Sequence, residues 1–219
     1  MRSIGVVIAK EWKCFLGSDR GMFILYLILI LVWSILLASR NSSHFNAEPL
    51  WLVFFSVVIT ANFSNTVFIS ERVSGSLEIL ITSGLSRNSI LYGKMSFILL
   101  MSVIFGAMCF FVTFLFQNVL LNNSAENVSL SSFILYAGSA FLNVSSSAYL
   151  SVRLSNPRLL HFANMFILGL IVGIYMFLAS TYDVPILYLF VFMCSAAVYI
   201  CWRTQKLYNS EKVLQPIYL

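Results

Sequence analysis

Side chains that could perform acid–base, metal or nucleophilic chemistry are scarce in this sequence, and their spacing matches no catalytic motif. The 4 cysteines show no Cys-x-x-Cys pairing, and the 2 histidines, His44 and His161, are far from them along the chain. Neither a zinc site nor a disulfide framework is therefore predicted. No G-x-x-x-x-G-K-[ST] phosphate loop occurs either, so any ATP must be bound by another polypeptide. We expect no metal, no cofactor and no catalytic residue.

Hydroxyl and amide side chains recur inside the apolar stretches instead. Ser56, Thr60 and Ser64 follow one another at a four-residue repeat, which places them on one face of a helix, and Asn62 and Asn65 are close by. Such residues either hydrogen-bond between helices or line a water-filled path, and both interpretations stay open. A second group, in a later apolar stretch, consists of Asn143, Ser145, Ser146 and Ser147.

The overall composition indicates what kind of element carries these residues. Of the 219 residues, 60% are apolar and only 10% are charged, and the mean hydropathy is +0.91. Soluble proteins carry about 25% charged residues, because a surface that faces water needs them. The chain is therefore predicted to be a membrane protein, and a soluble enzyme is excluded.

Six long gaps separate the Asp, Glu, Lys and Arg residues, and each gap is wide enough for one membrane-spanning helix of about 20 residues. We therefore predict an all-α membrane protein, with residues 1–219 forming one transmembrane domain. No Asp, Glu, Lys or Arg lies inside any predicted span, which disfavours ion-coupled carriers and membrane enzymes. The six predicted spans are 22–39, 50–70, 95–121, 132–152, 162–180 and 184–202.

The basic residues predict the orientation, because lysine and arginine accumulate on the cytoplasmic side of a membrane. Six spans put both termini on one face. All but one of the 13 Lys and Arg residues then fall on that face, and Arg40 is the exception. Both termini and the 71–94 loop are therefore predicted to be cytoplasmic.

The first 20 residues predict an amphipathic helix that lies on the cytoplasmic surface of the membrane. Ile4, Val7, Ile8, Trp12 and Phe15 recur at helical spacing. Glu11 falls in the middle of that apolar face, next to Lys10. Its carboxylate either reaches headgroups or water, or pairs with a basic residue, because an unpaired charge on an apolar face is costly.

The 71–94 segment is the most informative part of the chain. Gly75 and Gly84 bracket a short helical piece, and Ser86 is a predicted N-cap for the helix that becomes the third span. The piece is apolar on one side and acidic on the other, which suits a groove on a partner protein. An ordinary amphipathic linker in the membrane interface is the alternative. Its apolar residues are Leu77, Leu80 and Ile81, and its acidic residue is Glu78.

The same segment resembles the signature between spans two and three of the type 2 ABC exporter permeases. The matching residues are Glu71-Arg72-x-x-Gly75-x-Leu77-Glu78-x-Leu80, followed by Arg87 and Gly93-Lys94. Residues 9–12, Ala-Lys-Glu-Trp, similarly resemble the N-terminal amphipathic helix of that family. The family usually has a proline after the L-E-x-L piece, whereas Thr82-Ser83-Gly84 stands here, and the loop between spans five and six is too short for the re-entrant hairpin of many members.

The resemblance implies a permease subunit that forms a dimer around a translocation path and is driven by a separate ATP-binding cassette subunit. Residues 71–84 would then contact that subunit. The haem-export permease of cytochrome c maturation is an alternative within the same superfamily, and a non-ABC carrier or a structural membrane protein is an alternative outside it. The expected partners are the ATP-binding subunit, a second permease copy and the lipid membrane, but no nucleic acid.

The fifth predicted span contains a weak packing motif. Gly169 and Gly173 form a G-x-x-x-G, which lets two helix backbones approach closely. Glycine is frequent in membrane helices, so the motif alone is weak evidence. We expect contacts between two copies of the chain along spans one and five.

Overall fold

The structure is a computed structural model that describes residues 2–17, 20–38, 48–69, 82, 84–120, 130–154, 156–182 and 185–208. Within those residues every regular element is a helix. The helices are α1 (Arg2–Leu16), α2 (Arg20–Ala38), α3 (Glu48–Ser64), α4 (Arg87–Leu115), α5 (Leu130–Arg153), α6 (Pro157–Tyr182) and α7 (Ile186–Tyr208). One π-helical turn, Asn65–Ile69, continues α3, and another, Phe116–Leu120, continues α4.

All six apolar segments that the charge gaps delimit are helical, and α1 precedes them. The largest difference from prediction is at the start of α4. This helix begins at Arg87, directly after the predicted cap Ser86, so it starts well before residue 95, where the third span is predicted to begin. Lys94, which the charge gaps place in the loop before the third span, is therefore part of a buried helix face.

Among the residues that the structure describes, three helices are long and apolar enough to cross a membrane. They are the 32 residues Arg87–Asn118, the 21 residues Arg158–Leu178 and the 23 residues Ile186–Tyr208. Two shorter apolar helical stretches, Ile24–Ala38 and Val53–Phe68, accompany them. Large apolar side chains also remain exposed, for example Phe166 on α6 and Val198 on α7. Exposed apolar surface on this scale is typical of a protein that is surrounded by lipid.

The helix α5 lies in the middle of the bundle. It packs most extensively against α7 and α3, and also against α4 and α6. Every residue from 142 to 148 is buried. Because other helices cover this part of α5, its side chains need not be apolar, which explains why serine and asparagine are frequent here.

Aromatic side chains fill much of the space between α2, α3 and α4. The ring of Phe63 stacks on Tyr26 with centroids 5.1 Å apart and lies 5.7 Å from the ring of Phe105. On the other side of the bundle, smaller apolar side chains of α3, α5, α6 and α7 form a second cluster. Both clusters include apolar residues of α3, with Phe55 and Ile59 in the first and Val53 and Val57 in the second.

Candidate functional site at the junction of α1, α3 and α4

The predicted coupling segment leaves from the end of α3 and returns at the start of α4. Residues 70–81 and 83 lie outside the described residues, so the structure describes only two members of the segment, Thr82 and Gly84. Thr82 is helical, and Gly84 has a φ of 80°. A glycine in this left-handed conformation commonly ends a helix, because it has no Cβ to clash. The predicted contact residues that lie outside the described residues are Glu71, Arg72, Gly75, Leu77, Glu78, Leu80 and Ile81.

The start of α4 is fixed by a side-chain cap. Ser86 has an extended backbone (φ −65°, ψ 140°), and its Oγ accepts a hydrogen bond from the Ser89 backbone N at 3.2 Å. This cap satisfies one of the N–H groups that a helix leaves without a partner in its first turn. The prediction of Ser86 as the N-cap is confirmed.

The helix α1 packs directly on α4 at Gly93. A Cβ on Gly93 would lie 2.7 Å from the Cβ of Val7 and 3.3 Å from the backbone oxygen of Ile4. Real Cβ atoms do not approach other atoms as closely as 2.7 Å, so the two helices could not pack in this way around any larger residue. Val7 itself is buried. Glycine at this position therefore permits the close contact between α1 and α4.

One turn after Val7, on the same face of α1, the Glu11 side chain is also buried. It is 5% exposed, and its Oε1 lies 3.1 Å from the Nζ of Lys10, whose side chain is 34% exposed. Glu11 also borders a cavity of about 100 Å³ whose wall includes the rings of Phe15 and Phe63. A cavity of this volume can hold several water molecules, which would solvate the carboxylate.

Next to Gly93, the lysine at position 94 turns toward the end of α3. Its side chain is 0% exposed, and its Nζ donates a hydrogen bond to the backbone oxygen of Val67 at 3.0 Å. The same Nζ lies 5.7 Å from the centroid of the Phe68 ring. Both partners belong to the π-helical turn that closes α3. A cation here matches the partial negative charge on the last carbonyls of a helix.

The predicted hydroxyl and amide residues lie between α3 and α5. The Oγ of Ser139 donates to the Oγ of Ser56 at 2.7 Å, and the Nδ2 of Asn143 donates to the Oγ1 of Thr60. The hydroxyl of Thr60 in turn donates to the backbone oxygen of Ser56 at 2.6 Å. All four of these residues are 0% exposed. We refer to them, together with Ser146, Ser147 and Asn164, as the polar cluster.

The polar cluster continues to α6 through Asn164. Its Oδ1 accepts from the Oγ of Ser146 at 2.7 Å, and its Nδ2 donates to the Oγ of Ser147 at 2.6 Å. The cluster thus joins α3, α5 and α6 by hydrogen bonds. The buried hydroxyls of Ser64 and Ser145 have no hydrogen-bond partner within the described residues. Asn62 and Asn65 are half-buried and lie at the edge of α3.

The two glycines of α6 are not packed inside this chain. No atom of the described residues would lie within 4 Å of a Cβ on Gly169 or on Gly173, and both glycines are exposed. The G-x-x-x-G motif therefore does not serve helix packing within one copy. Gly106 of α4 does, because the ring of Tyr136 occupies the place of its missing Cβ.

Sequence reasoning missed three buried polar partners, namely Lys94, Ser139 and Asn164. The first was assigned to a loop because a charge normally marks the end of a span. A sequence signal exists for Ser139, because it lies four residues before Asn143 and therefore on the same face of α5. Asn164 is on a different helix and carries no such signal. Within the described residues, no group of three or more His, Cys, Asp and Glu side chains could hold a metal ion.

No protein-family model matches this sequence, and no curated protein or solved structure is similar to it. A functional conclusion must therefore come from the chain's own residues and their arrangement.

Proposed function

We propose that this chain is the permease subunit of an ABC exporter, that it moves its substrate across the cytoplasmic membrane, and that a separate ATP-binding subunit drives it. In this proposal residues 71–84 contact the ATP-binding subunit. Both chain termini and that segment lie in the cytoplasm, which agrees with the distribution of lysine and arginine.

One observation carries the proposal. Two stretches of sequence resemble the exporter permeases, residues 9–12 and residues 71–94, and about 60 residues separate them along the chain. In the structure the helices that contain them touch, since α1 packs on α4 at Gly93 and Glu11 is buried one turn further along α1. A permease whose N-terminal helix senses the coupling segment requires such a contact. A chance resemblance in two unrelated stretches does not predict it.

The proposed topology has six crossings, by α2 to α7. Three of these helices meet the length and hydropathy of a span on their own, and α2 and α3 contain shorter apolar stretches. The sixth, α5, is 24 residues long, which is enough to cross about 30 Å of hydrocarbon. Its polar cluster is covered by α3 and α6, so α5 can cross without exposing that cluster to lipid.

The proposed assembly contains two copies of the permease. The exposed glycine pair of α6 and the exposed apolar side chains of α2, such as Leu25 and Val32, supply the surface for the second copy. Small residues at such a surface allow two helix backbones to approach closely. The same surface faces lipid in a single copy.

The proposal is tested by purifying the full chain in native detergent and identifying the proteins that accompany it. The expected partner carries a G-x-x-x-x-G-K-[ST] loop and hydrolyses ATP, and its hydrolysis rate changes when it binds the permease. A purified chain without any such partner, in cells that express it at native level, would contradict the proposed function.

Three variants test whether residues 71–84 contact the ATP-binding subunit. Leu77→Asp should abolish co-purification of the ATP-binding subunit, because it places a charge in the apolar docking face. Glu78→Ala should weaken the complex less, or leave it intact with hydrolysis uncoupled from transport. The matched control is Leu187→Asp, since Leu187 is 65% exposed in the first turn of α7, at the opposite predicted side of the membrane. Normal association with Leu77→Asp would show that residues 71–84 are only a linker.

A further inference from the structure

Lys94 connects α3 and α4, the two helices that precede and follow the coupling segment in the sequence. The segment leaves the described residues after Ile69, at the end of α3, and the chain re-enters α4 at Arg87. The hydrogen bond from the Nζ of Lys94 to the oxygen of Val67 spans 27 residues of sequence and joins these two helices directly. Val67 lies four residues before residue 71, where the segment begins, and Lys94 lies about two turns after the start of α4.

A lysine at this buried position needs an explanation, because burying an amino group that can carry a charge is costly. Lys94 is 0% exposed, and moving a charge out of water requires compensating hydrogen bonds or opposite charges. The compensation comes from a backbone carbonyl in a π-helical turn, an irregularity that frequently marks functional sites in helices. A leucine or methionine would fill the same space without this cost. The lysine is thus not explained by packing alone.

The residue before Lys94 makes the contact with α1. Gly93 lies against Val7, and Glu11 is buried one turn further along the same face of α1. Two adjacent residues of α4 therefore contact two different elements, with Gly93 on α1 and Lys94 on the end of α3. If the coupling segment moves, it shifts the end of α3 to which it is joined. The Lys94 hydrogen bond then passes this shift to α4, and the contact of Gly93 with Val7 passes it on to α1.

We propose that Lys94 is a positioning residue that transmits movement of the coupling segment to α1 and α4. This inference rests on the proposed function, and it names the element of the permease that responds to the ATP-binding subunit. In the absence of the Lys94–Val67 bond, the segment still binds the ATP-binding subunit through its own apolar face. The bound state then no longer changes the position of α1.

The experiment measures α1 directly in the assembled complex. Cys14 is exposed on α1, and replacing Cys109, Cys194 and Cys201 by alanine leaves it as the only thiol of the permease. Its labelling rate by a maleimide is compared with and without ATP and vanadate, which hold the ATP-binding subunit in its closed state. With Lys94 present we expect the rate to change by about fivefold, the lower end of typical allosteric coupling.

The variants are Lys94→Met, which removes the charge, and Lys94→Arg, which keeps it. Lys94→Met should co-purify with a normal amount of the ATP-binding subunit but lose the change in Cys14 labelling, and Lys94→Arg should restore part of it. The matched control is Ser102→Ala, which removes a buried hydrogen bond to Tyr136 two turns further along α4 and should keep the full labelling change.

The outcomes separate this inference from the proposed function. If the wild-type complex contains no ATP-binding subunit, the proposed function and this inference both fail. If wild type responds to nucleotide and Lys94→Met responds equally, Lys94 transmits nothing and only the inference fails. If neither Lys94→Met nor Lys94→Arg assembles while Ser102→Ala does, Lys94 serves folding alone, and the inference is equally overturned.

Discussion

Replacing Asn143 by leucine tests whether the polar cluster holds α3 against α5. The Nδ2 of Asn143 donates to the Oγ1 of Thr60 and lies 3.4 Å from the backbone oxygen of Val57. Leucine has the same number of side-chain heavy atoms, branched at the same carbon, so the substitution removes the hydrogen bonds without opening a large cavity. Thr60 keeps its own bond to the oxygen of Ser56, which limits the cost because its hydroxyl proton retains an acceptor.

The expected magnitude follows from measured interhelical hydrogen bonds in membranes, which contribute about 0.6 kcal/mol on average and up to about 1.7 kcal/mol. Asn143 is 0% exposed and bridges two helices, so we place it in the upper half of that range. The free energy of unfolding of Asn143→Leu should therefore fall by about 1–2 kcal/mol. Unfolding by SDS in mixed micelles, followed by tryptophan fluorescence, measures this change.

A double-mutant cycle with Thr60→Val isolates the bond itself. The coupling free energy between the two positions should be about 1 kcal/mol, because each single variant already removes the same interaction. Ser195→Ala is the control, since Ser195 is exposed and its hydroxyl bonds only within its own helix, to Phe192. That variant should change stability by less than about 0.5 kcal/mol. Additive effects at positions 143 and 60 would refute the hydrogen-bonded arrangement.

Further substitutions and cysteine labels test other parts of the structure. Gly106→Ala should lower the free energy of unfolding by about 1–3 kcal/mol, because the new methyl group collides with the ring of Tyr136; the SDS assay measures it. Gly173→Ala should instead stabilise a single copy by about 0.5–1 kcal/mol, because it has open space and alanine favours a helix. Gly173→Leu should convert the proposed dimer to a monomer in native mass measurement. An unchanged dimer would show that the two copies do not contact each other at Gly173. An impermeant thiol reagent applied to intact cells should label a cysteine at Asn123 but not one at Ser210, and the opposite pattern would invert the proposed topology.

The helices could be predicted from the sequence because a charge inside an apolar segment is costly in lipid. Each gap between charges coincides with a helix from α2 to α7. The same rule placed Lys94 in a loop, because it treats every lysine as a boundary. The Nζ of Lys94 instead donates a hydrogen bond to the carbonyl of Val67, and a single sequence does not specify which carbonyl a long side chain will meet.

The candidate site was predictable where the interactions are local. Ser86 was identified as a cap because its partner, Ser89, is three residues away. The polar residues of α3 were identified by their four-residue repeat, but Asn164 was not, since its partners depend on which face of α6 meets α5. The outward direction of Gly169 and Gly173 was likewise set by tertiary packing. The residues from Glu71 to Ile81 lie outside the described residues and stay predictions.

The burial of α5 has a consequence for how the chain is made. A helix that is covered by its neighbours has little apolar surface of its own to offer the bilayer, and α5 carries several serines and an asparagine on its covered faces. During synthesis, α6 and α7 emerge after α5, and α7 is its most extensive neighbour. In the proposed six-span topology, a nascent chain that ends at residue 154 should therefore retain α5 in the bilayer poorly. Insertion of this segment is then a cooperative event that is completed only when α7 has been synthesised.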